Sequence, residues 1–295
     1  MGAGRLAGHS GGMSTMNPQA SVSPPTPAPR GAFASAPDAA PPGPPAAADS
    51  GIAVCGLEKT YQRGPVRVDA LRDVTLTLER GSQVGVMGPS GSGKTTLLHC
   101  LAGVIRPTSG SILVEGSEIV GLKERQLSQL RLTRFGFVFQ DGQLLPELSA
   151  LENVALPLML AGEQRRSAQD RAGAALGALG LAGETRARPG QLSGGQAQRV
   201  AIARAMVTNP QVVFADEPTG ALDRATGQEV MGVLTSACRA SGATLVVVTH
   251  DPAVAAWCQR ILQVCDGRVH EGAPALVDPG ATGPGASDPA LGALR

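Results

Sequence analysis

The chain has 295 residues, 42% of them hydrophobic and 2% aromatic, enough for one or two packed domains with cores of Leu, Val, Ala and Ile. A formal net charge of +1 gives no electrostatic reason to expect nucleic acid as a partner. Cys55, Cys100, Cys238, Cys258 and Cys265 are scattered without a C-x-x-C pair, which argues against a disulfide framework or metal cluster and for free thiols in a reducing cytosol.

Residues 1–50 are mainly Pro, Ala, Gly and Ser, so burial there cannot offset backbone entropy and a disordered tail is expected. This tail has no apolar centre of the secretory kind, and nowhere in the chain are there the ~18 consecutive apolar residues of a membrane span. A chain soluble by itself is expected. Residues 273–295 resemble the first tail, which leaves 51–272 as the folded domain.

Strands are expected at Ile52–Leu57 and at Val74–Leu78, where apolar and polar residues alternate. Gly81 then turns the chain into the apolar run Val84–Met87. Next comes Gly88-Pro89-Ser90-Gly91-Ser92-Gly93-Lys94-Thr95-Thr96, followed by the helical Leu97–Ala102. This strand–loop–helix satisfies the P-loop pattern. Its glycines let successive backbone N–H groups point inward at phosphate oxygens, and the helix adds its positive N-terminal end. In such a loop Lys94 reaches the β and γ phosphates, and the Thr95 hydroxyl can ligate Mg²⁺.

Pro107–Gly110 separate that helix from a strand at Ser111–Glu115. A short helix follows at Leu122–Leu132, then a strand, Phe135–Phe139, running into Gln140. Amphipathic helical faces occupy 151–160 and 168–181. After them come a helix at Gln196–Val207, a buried strand Gln211–Ala215 ending in Asp216-Glu217, and a helix at Thr226–Ser241. Thr244–Val248 is a buried strand ending in Thr249-His250, and Ile261–Val264 is a last strand. Strands alternating with helices imply an α/β fold with a mostly parallel sheet and ligands at the strands' carboxyl ends. The P-loop, Gln140, Asp216-Glu217 and His250 all fall at such ends.

Asp216, just past a buried strand, can hold Mg²⁺ through water opposite Thr95, and Glu217 can then polarise the attacking water. Leu192-Ser193-Gly194-Gly195-Gln196 precedes a helix and offers a second anion-binding N-terminus. One chain cannot readily bring both helix ends to the same phosphate, so this stretch makes sense if it serves a second copy. In isolation it also reads as a Gly-Gly loop with a serine cap.

With these motifs in order, the chain resembles the ATPase subunit of ATP-binding cassette (ABC) transporters from about Ile52 to Glu271. The resemblance implies a P-loop NTPase with a RecA-like, mostly parallel core, an antiparallel β subdomain and an α-helical subdomain at about 141–195. It implies ATP and Mg²⁺ as cofactors, with Thr95, Gln140 and Asp216 at the metal. Glu217 becomes the catalytic carboxylate, Gln140 a sensor of Mg²⁺ and water, and His250 the switch histidine on the γ-phosphate. Tyr61, the single tyrosine, matches the aromatic that stacks on adenine, and Asp223 in Ala221-Leu222-Asp223 bridges the dimer.

Two copies would sandwich two ATP molecules head to tail, each between one P-loop and the other copy's Ser193–Gln196. The other partner implied is an integral membrane permease, received at Leu144–Leu160, which places the chain peripherally on the cytoplasmic face of the plasma membrane. Gly136–Gln140, Glu152-Asn153-Val154 with Leu156-Pro157-Leu158, and Glu217–Asp223 are similar to the branch of macrolide exporters and lipoprotein-release complexes. Ala197 departs from that branch's usual polar residue but leaves Ser193 and both glycines intact. The alternatives are a soluble ABC ATPase without a permease and a regulatory nucleotide-binding module. A single cassette without heptads disfavours the first, and the presence of Glu217 and His250 disfavours the second.

Overall fold

A computed structural model describes residues 50–272; the segments expected to be tails, 1–49 and 273–295, lie outside the described residues. In chain order the strands are β1 (Ser50–Arg63), β2 (Val66–Glu79), β3 (Gln83–Met87), β4 (Ser109–Val114), β5 (Ser117–Glu118), β6 (Phe135–Phe139), β7 (Val212–Asp216), β8 (Thr244–Val248), β9 (Arg260–Cys265) and β10 (Arg268–Glu271). The helices are α1 (Lys94–Leu101), α2 (Glu124–Arg134), α3 (Ala150–Leu160), α4 (Arg165–Ala178), α5 (Gly194–Met206), α6 (Arg224–Ser241) and α7 (Pro252–Ala255).

Two sheets form. The first is antiparallel, in the order β2-β1-β4-β5; the second has the order β10-β9-β3-β8-β7-β6 and is parallel except for β10. The expected mixed α/β architecture is therefore present, with the antiparallel sheet as a separate layer. The expected strands at 52–57 and 74–78 are the ends of a longer hairpin. Gly56 and Asp73 sit at positive φ and the β1–β2 register shifts between Val54 and Leu57, which breaks the alternation that marks a strand. β10 was not expected, because its residues are mostly exposed; it pairs with β9 at the sheet edge, and its half-buried Val269 packs on the core.

The parallel sheet is buried on both faces, which explains its continuous apolar runs. Val213, Ala215, Leu245 and Val247 face a core shared with α3–α6, while Val212, Phe214, Val246 and Val248 face α1 and the antiparallel sheet. Phe214 is the centre of an aromatic cluster. Its ring lies edge-on to Phe135 at 5.2 Å and stacks on Phe137 at 5.7 Å.

The helical layer starts with Ser149, whose hydroxyl caps α3 and whose backbone N–H is returned the favour by Glu152. α3 spans the helical face expected at 151–160 and runs through Pro157 to Leu160. The fully buried Asn153 secures the preceding loop by accepting from Leu145 N–H and donating to the carbonyls of Leu145, Leu148 and Ser149. α5 lies directly on β6: a Cβ on Gly136 would come within 2.6 Å of the Ala205 carbonyl oxygen.

Replacing Phe214 by Ala removes the filled centre of one core and two aromatic contacts, so urea unfolding should show a loss of about 3–5 kcal/mol. A loss below about 1 kcal/mol would contradict this packing.

Candidate nucleotide site

The loop between β3 and α1 is seated against two carbonyls. A Cβ on Gly88 would lie 2.1 Å from Val264 O, and one on Gly93 would lie 2.4 Å from Ala70 O. Both glycines also have positive φ, 150° and 109°, so geometry and space each demand the absence of a side chain. The turn after β9 holds the loop from behind, with Gly267 N–H donating to Ser92 O at 3.0 Å. The buried Ser92 hydroxyl has no hydrogen-bond partner among the described residues.

α1 begins at Lys94 without a side-chain cap, so its first N–H groups face the loop. Lys94 Nζ donates to Gly88 O and Pro89 O, each at 2.9 Å, which keeps the ammonium inside the loop. In front lies a cleft of about 330 Å³ lined by Ser90, Gly91, Gly93, Lys94, Thr95 and Thr96, and on the far side by Asp216, Glu217 and His250. An uncapped helix N-terminus and a lysine beside a glycine-rich loop suit a polyphosphate.

Asp216 ends β7. Burial pushes its carboxyl above the ordinary carboxylate range, opposed first by His99; the Glu217 charge pushes the same way, while Thr95 and Lys94 oppose it. A cation between Thr95 and Asp216 would relieve that cost. Among the described residues there is no cluster of three His, Cys, Asp or Glu side chains. The donors at hand, the Thr95 hydroxyl and the Asp216 carboxylate, are oxygens, as suits Mg²⁺, which keeps several waters and takes phosphate oxygens as ligands.

Glu217 sits at φ 48°, a conformation rare for a side-chain-bearing residue. Its N–H donates to Val248 O at 2.9 Å. Its carboxylate accepts from the Thr249 hydroxyl at 3.2 Å, from His250 N–H at 3.1 Å, and meets His250 Nδ1 at 2.7 Å. The strained turn thus aims the carboxylate along the cleft and ties it to the end of β8. The hydrogen bond that the His250 ring makes to Glu217, then the Glu217 charge, raises the His250 pKa above the ordinary 6.5. Thr249 was not singled out in the sequence; a hydroxyl beside His250 carries no pattern of its own.

The remaining expected site residues lie outside the cleft. Gln140 follows the last residue of β6, whose register pairs Phe139 with Asp216. Its side chain rests on Gly220, where a Cβ would come within 3.1 Å. Tyr61 stands on β1, paired with the exposed Val68 of β2, with Lys59 Nζ 5.0 Å from its ring centroid.

Ser193 caps α5, accepting from Gln196 N–H at 3.2 Å, and Gln196 Oε1 accepts from Ser193 N–H at 2.9 Å. The serine-cap reading is therefore realised. The glycines between them have a further reason: a Cβ on Gly194 would be 2.9 Å from Leu222, and one on Gly195 2.5 Å from Thr226. Asp223 caps α6, accepting from the N–H groups of Ala225 and Thr226. Ser193–Gln196 and Asp223 thus pack on each other's elements, and none of them lines the cleft at the P-loop.

The ABC transporter family pattern matches residues 71–220. The chain belongs to the ABC transporter family. As a cassette of that family it is an ATP-binding ATPase. It is 49% identical over 216 residues to the lipoprotein-releasing system ATP-binding protein LolD of Bordetella avium, covering 73% of this chain and 94% of that protein. It is 47% identical over 241 residues to the macrolide export ATP-binding/permease protein MacB of Rhodopseudomonas palustris. That match covers 81% of this chain but 37% of MacB, so the chain spans little more than a third of that relative. Among solved structures it is similar to the cassette MJ0796 in a dimeric form, with a TM-score of 0.69 and 40% identity over 76% of this chain and 98% of that one. A second dimeric structure of MJ0796, in a post-hydrolysis state with ADP and Pi, has a TM-score of 0.70 at 39% identity over the same 76% and 98%.

Because pairing raises the folded pKa of His250, its contribution is complete below the unfolded value of 6.5 and is lost as pH rises through the folded pKa. NMR titration should therefore place His250 above 6.5, and Glu217→Gln should bring it back toward that value. An unchanged titration in the variant would contradict the tether.

Proposed function

We propose that this cassette hydrolyses ATP to drive a separately encoded membrane permease of the lipoprotein-release or macrolide-export kind. The observation that carries the reading is the convergence of Lys94, Thr95, Asp216, Glu217 and His250 on one cleft while Ser193 stands capped and exposed elsewhere. Half of a phosphate-binding arrangement is present in one chain, and the matching half faces outward for a second copy. The high coverage of LolD, a protein named only as an ATP-binding component, supports a permease on another chain.

In this reading the polyphosphate lies over α1, bound by the loop's N–H groups and Lys94. Thr95 and Asp216 hold Mg²⁺, which when bound supplies neutralising charge to the phosphate oxygens. Gln140, at the strand end beside Asp216, completes that side once its loop shifts from Gly220. Glu217 accepts the proton of the attacking water as general base. His250 first shares its Nδ1 with Glu217 and turns to the γ-phosphate when nucleotide enters, which frees the carboxylate. Ser193, Gly194, Gly195 and Gln196 of a second copy close over the phosphate, with Asp223 bracing the join, and Tyr61 with exposed Val66 and Val68 offers a face for the adenine.

No helix among the described residues is long and apolar enough to cross a membrane. Leu145, Met159 and Leu160 are nonetheless exposed around α3, Leu160 by 65%. That apolar surface fits a permease segment and supports a peripheral place on the cytoplasmic face of the plasma membrane.

Glu217→Gln keeps every binding contact and removes the base. Steady-state turnover should fall at least about 10²-fold, and gel filtration with ATP should show a trapped dimer. Near-normal turnover would overturn the role of Glu217.

A further inference from the structure

Two side chains of α5 hold the backbone that leads into and out of Gln140. Gln198 is 2% exposed, and its Nε2 donates to the Phe139 carbonyl at 2.8 Å. Arg204 donates from Nη2 to Gly142 O at 2.7 Å and from Nη1 to Gln143 O at 2.8 Å. Gly142 and Gln143 both have positive φ, 64° and 45°. For Gln143 that conformation is strained, so the turn persists only while its surroundings hold it.

The Arg204 guanidinium is half-buried, and among the described residues no carboxylate forms an ion pair with it. Burying an unpaired cation is costly, and an apolar side chain would fill the same space at less cost if filling were its only task. What an apolar side chain cannot do is grip two successive carbonyls of one turn, which suits the fixed fork of a guanidinium. A Cβ on Gly142 would meet Gln198 Oε1 at 3.3 Å and the Ala197 carbonyl oxygen at 3.5 Å, so the turn is pressed directly against α5.

The same helix begins at the Ser193 cap, roughly 16 Å from Arg204 at the rise of an α-helix. One rigid rod therefore carries the outward-facing phosphate motif at one end and the grip on the Gln140 loop farther along. We propose that Arg204, with Gln198, is a positioning residue that locks the Gln140 loop to α5, so that engagement of Ser193 by a second copy's nucleotide sets where Gln140 stands. The assignment rests on the reading of Gln140 as part of the hydrolytic site. It adds that Gln140 is placed from the signature helix and not by its own strand alone.

The test is a double-mutant cycle in the full chain, reading kcat, KM for ATP and thermal midpoint. Arg204→Met should lower kcat about tenfold or more, as misplacement of a reacting group does, with KM changed less than about twofold because the P-loop is untouched. Arg204→Lys keeps the charge and one of the two bonds, and should recover part of the lost kcat at a near-native midpoint. In a Gln140→Ala background, Arg204→Met should cost less than about a further twofold, since the group it positions is gone.

Losses that multiply in the double variant would overturn the proposal, as would an Arg204→Lys variant no better than Arg204→Met. Unchanged kcat in Gln140→Ala alone would remove the hydrolytic role of Gln140 and this assignment together, and is distinguishable from the first two results.

Discussion

The nucleotide site depends on one close approach, that of the P-loop backbone to the carbonyls of Val264 and Ala70. These oxygens belong to different sheets, β9 of the parallel sheet and β2 of the antiparallel one, so the loop is wedged where the two layers meet. Only glycine fits at Gly88 and Gly93, because each has positive φ and no room for a Cβ. Gly267 closes the wedge by donating to Ser92 O while its own carbonyl accepts from Arg72 N–H. The loop is thus held by its neighbours without any ligand, so a bound phosphate would have less ordering entropy to supply.

The opposite wall is less settled by design. Asp216 is held partly buried beside another carboxylate, and Glu217 occupies a strained turn with its charge drawn to His250. Such local costs are tolerated where the surrounding structure over-determines the conformation, here the ends of β7 and β8 paired in register. A cation and a γ-phosphate would each relieve one of them. The site therefore combines a preformed cradle with charged groups whose best partners come from outside the chain. The exposed Ser193 cap, fixed by Leu222 and Thr226 against its two glycines, is built on the same principle at another face.

Much of this was legible in the chain itself. Buried parallel strands announce themselves as continuous apolar runs, and β6 and β8 fall at the residues expected. The chemistry-bearing residues stand at strand ends or helix starts, so locating the elements located the site. What escaped did so for identifiable reasons. Bulges at Gly56 and Asp73 broke the alternation of the β1–β2 hairpin, and β10 has too little buried surface to show a pattern. The hold of Arg204 on Gly142 and Gln143 spans more than sixty positions, a partnership that no local spacing reports.

The central claim is that each hydrolytic site is assembled from two copies, the P-loop of one and the Ser193 cap of the other. It is tested most directly by mixing two chains that are each inactive, one carrying Lys94→Ala and the other Ser193→Arg. A mixed dimer then holds one intact composite site. With random pairing the mixture should recover about a quarter of the native ATPase rate, from one sound site in half of the dimers. Recovery of that order supports the two-copy site, whereas a mixture as inactive as its components would contradict it.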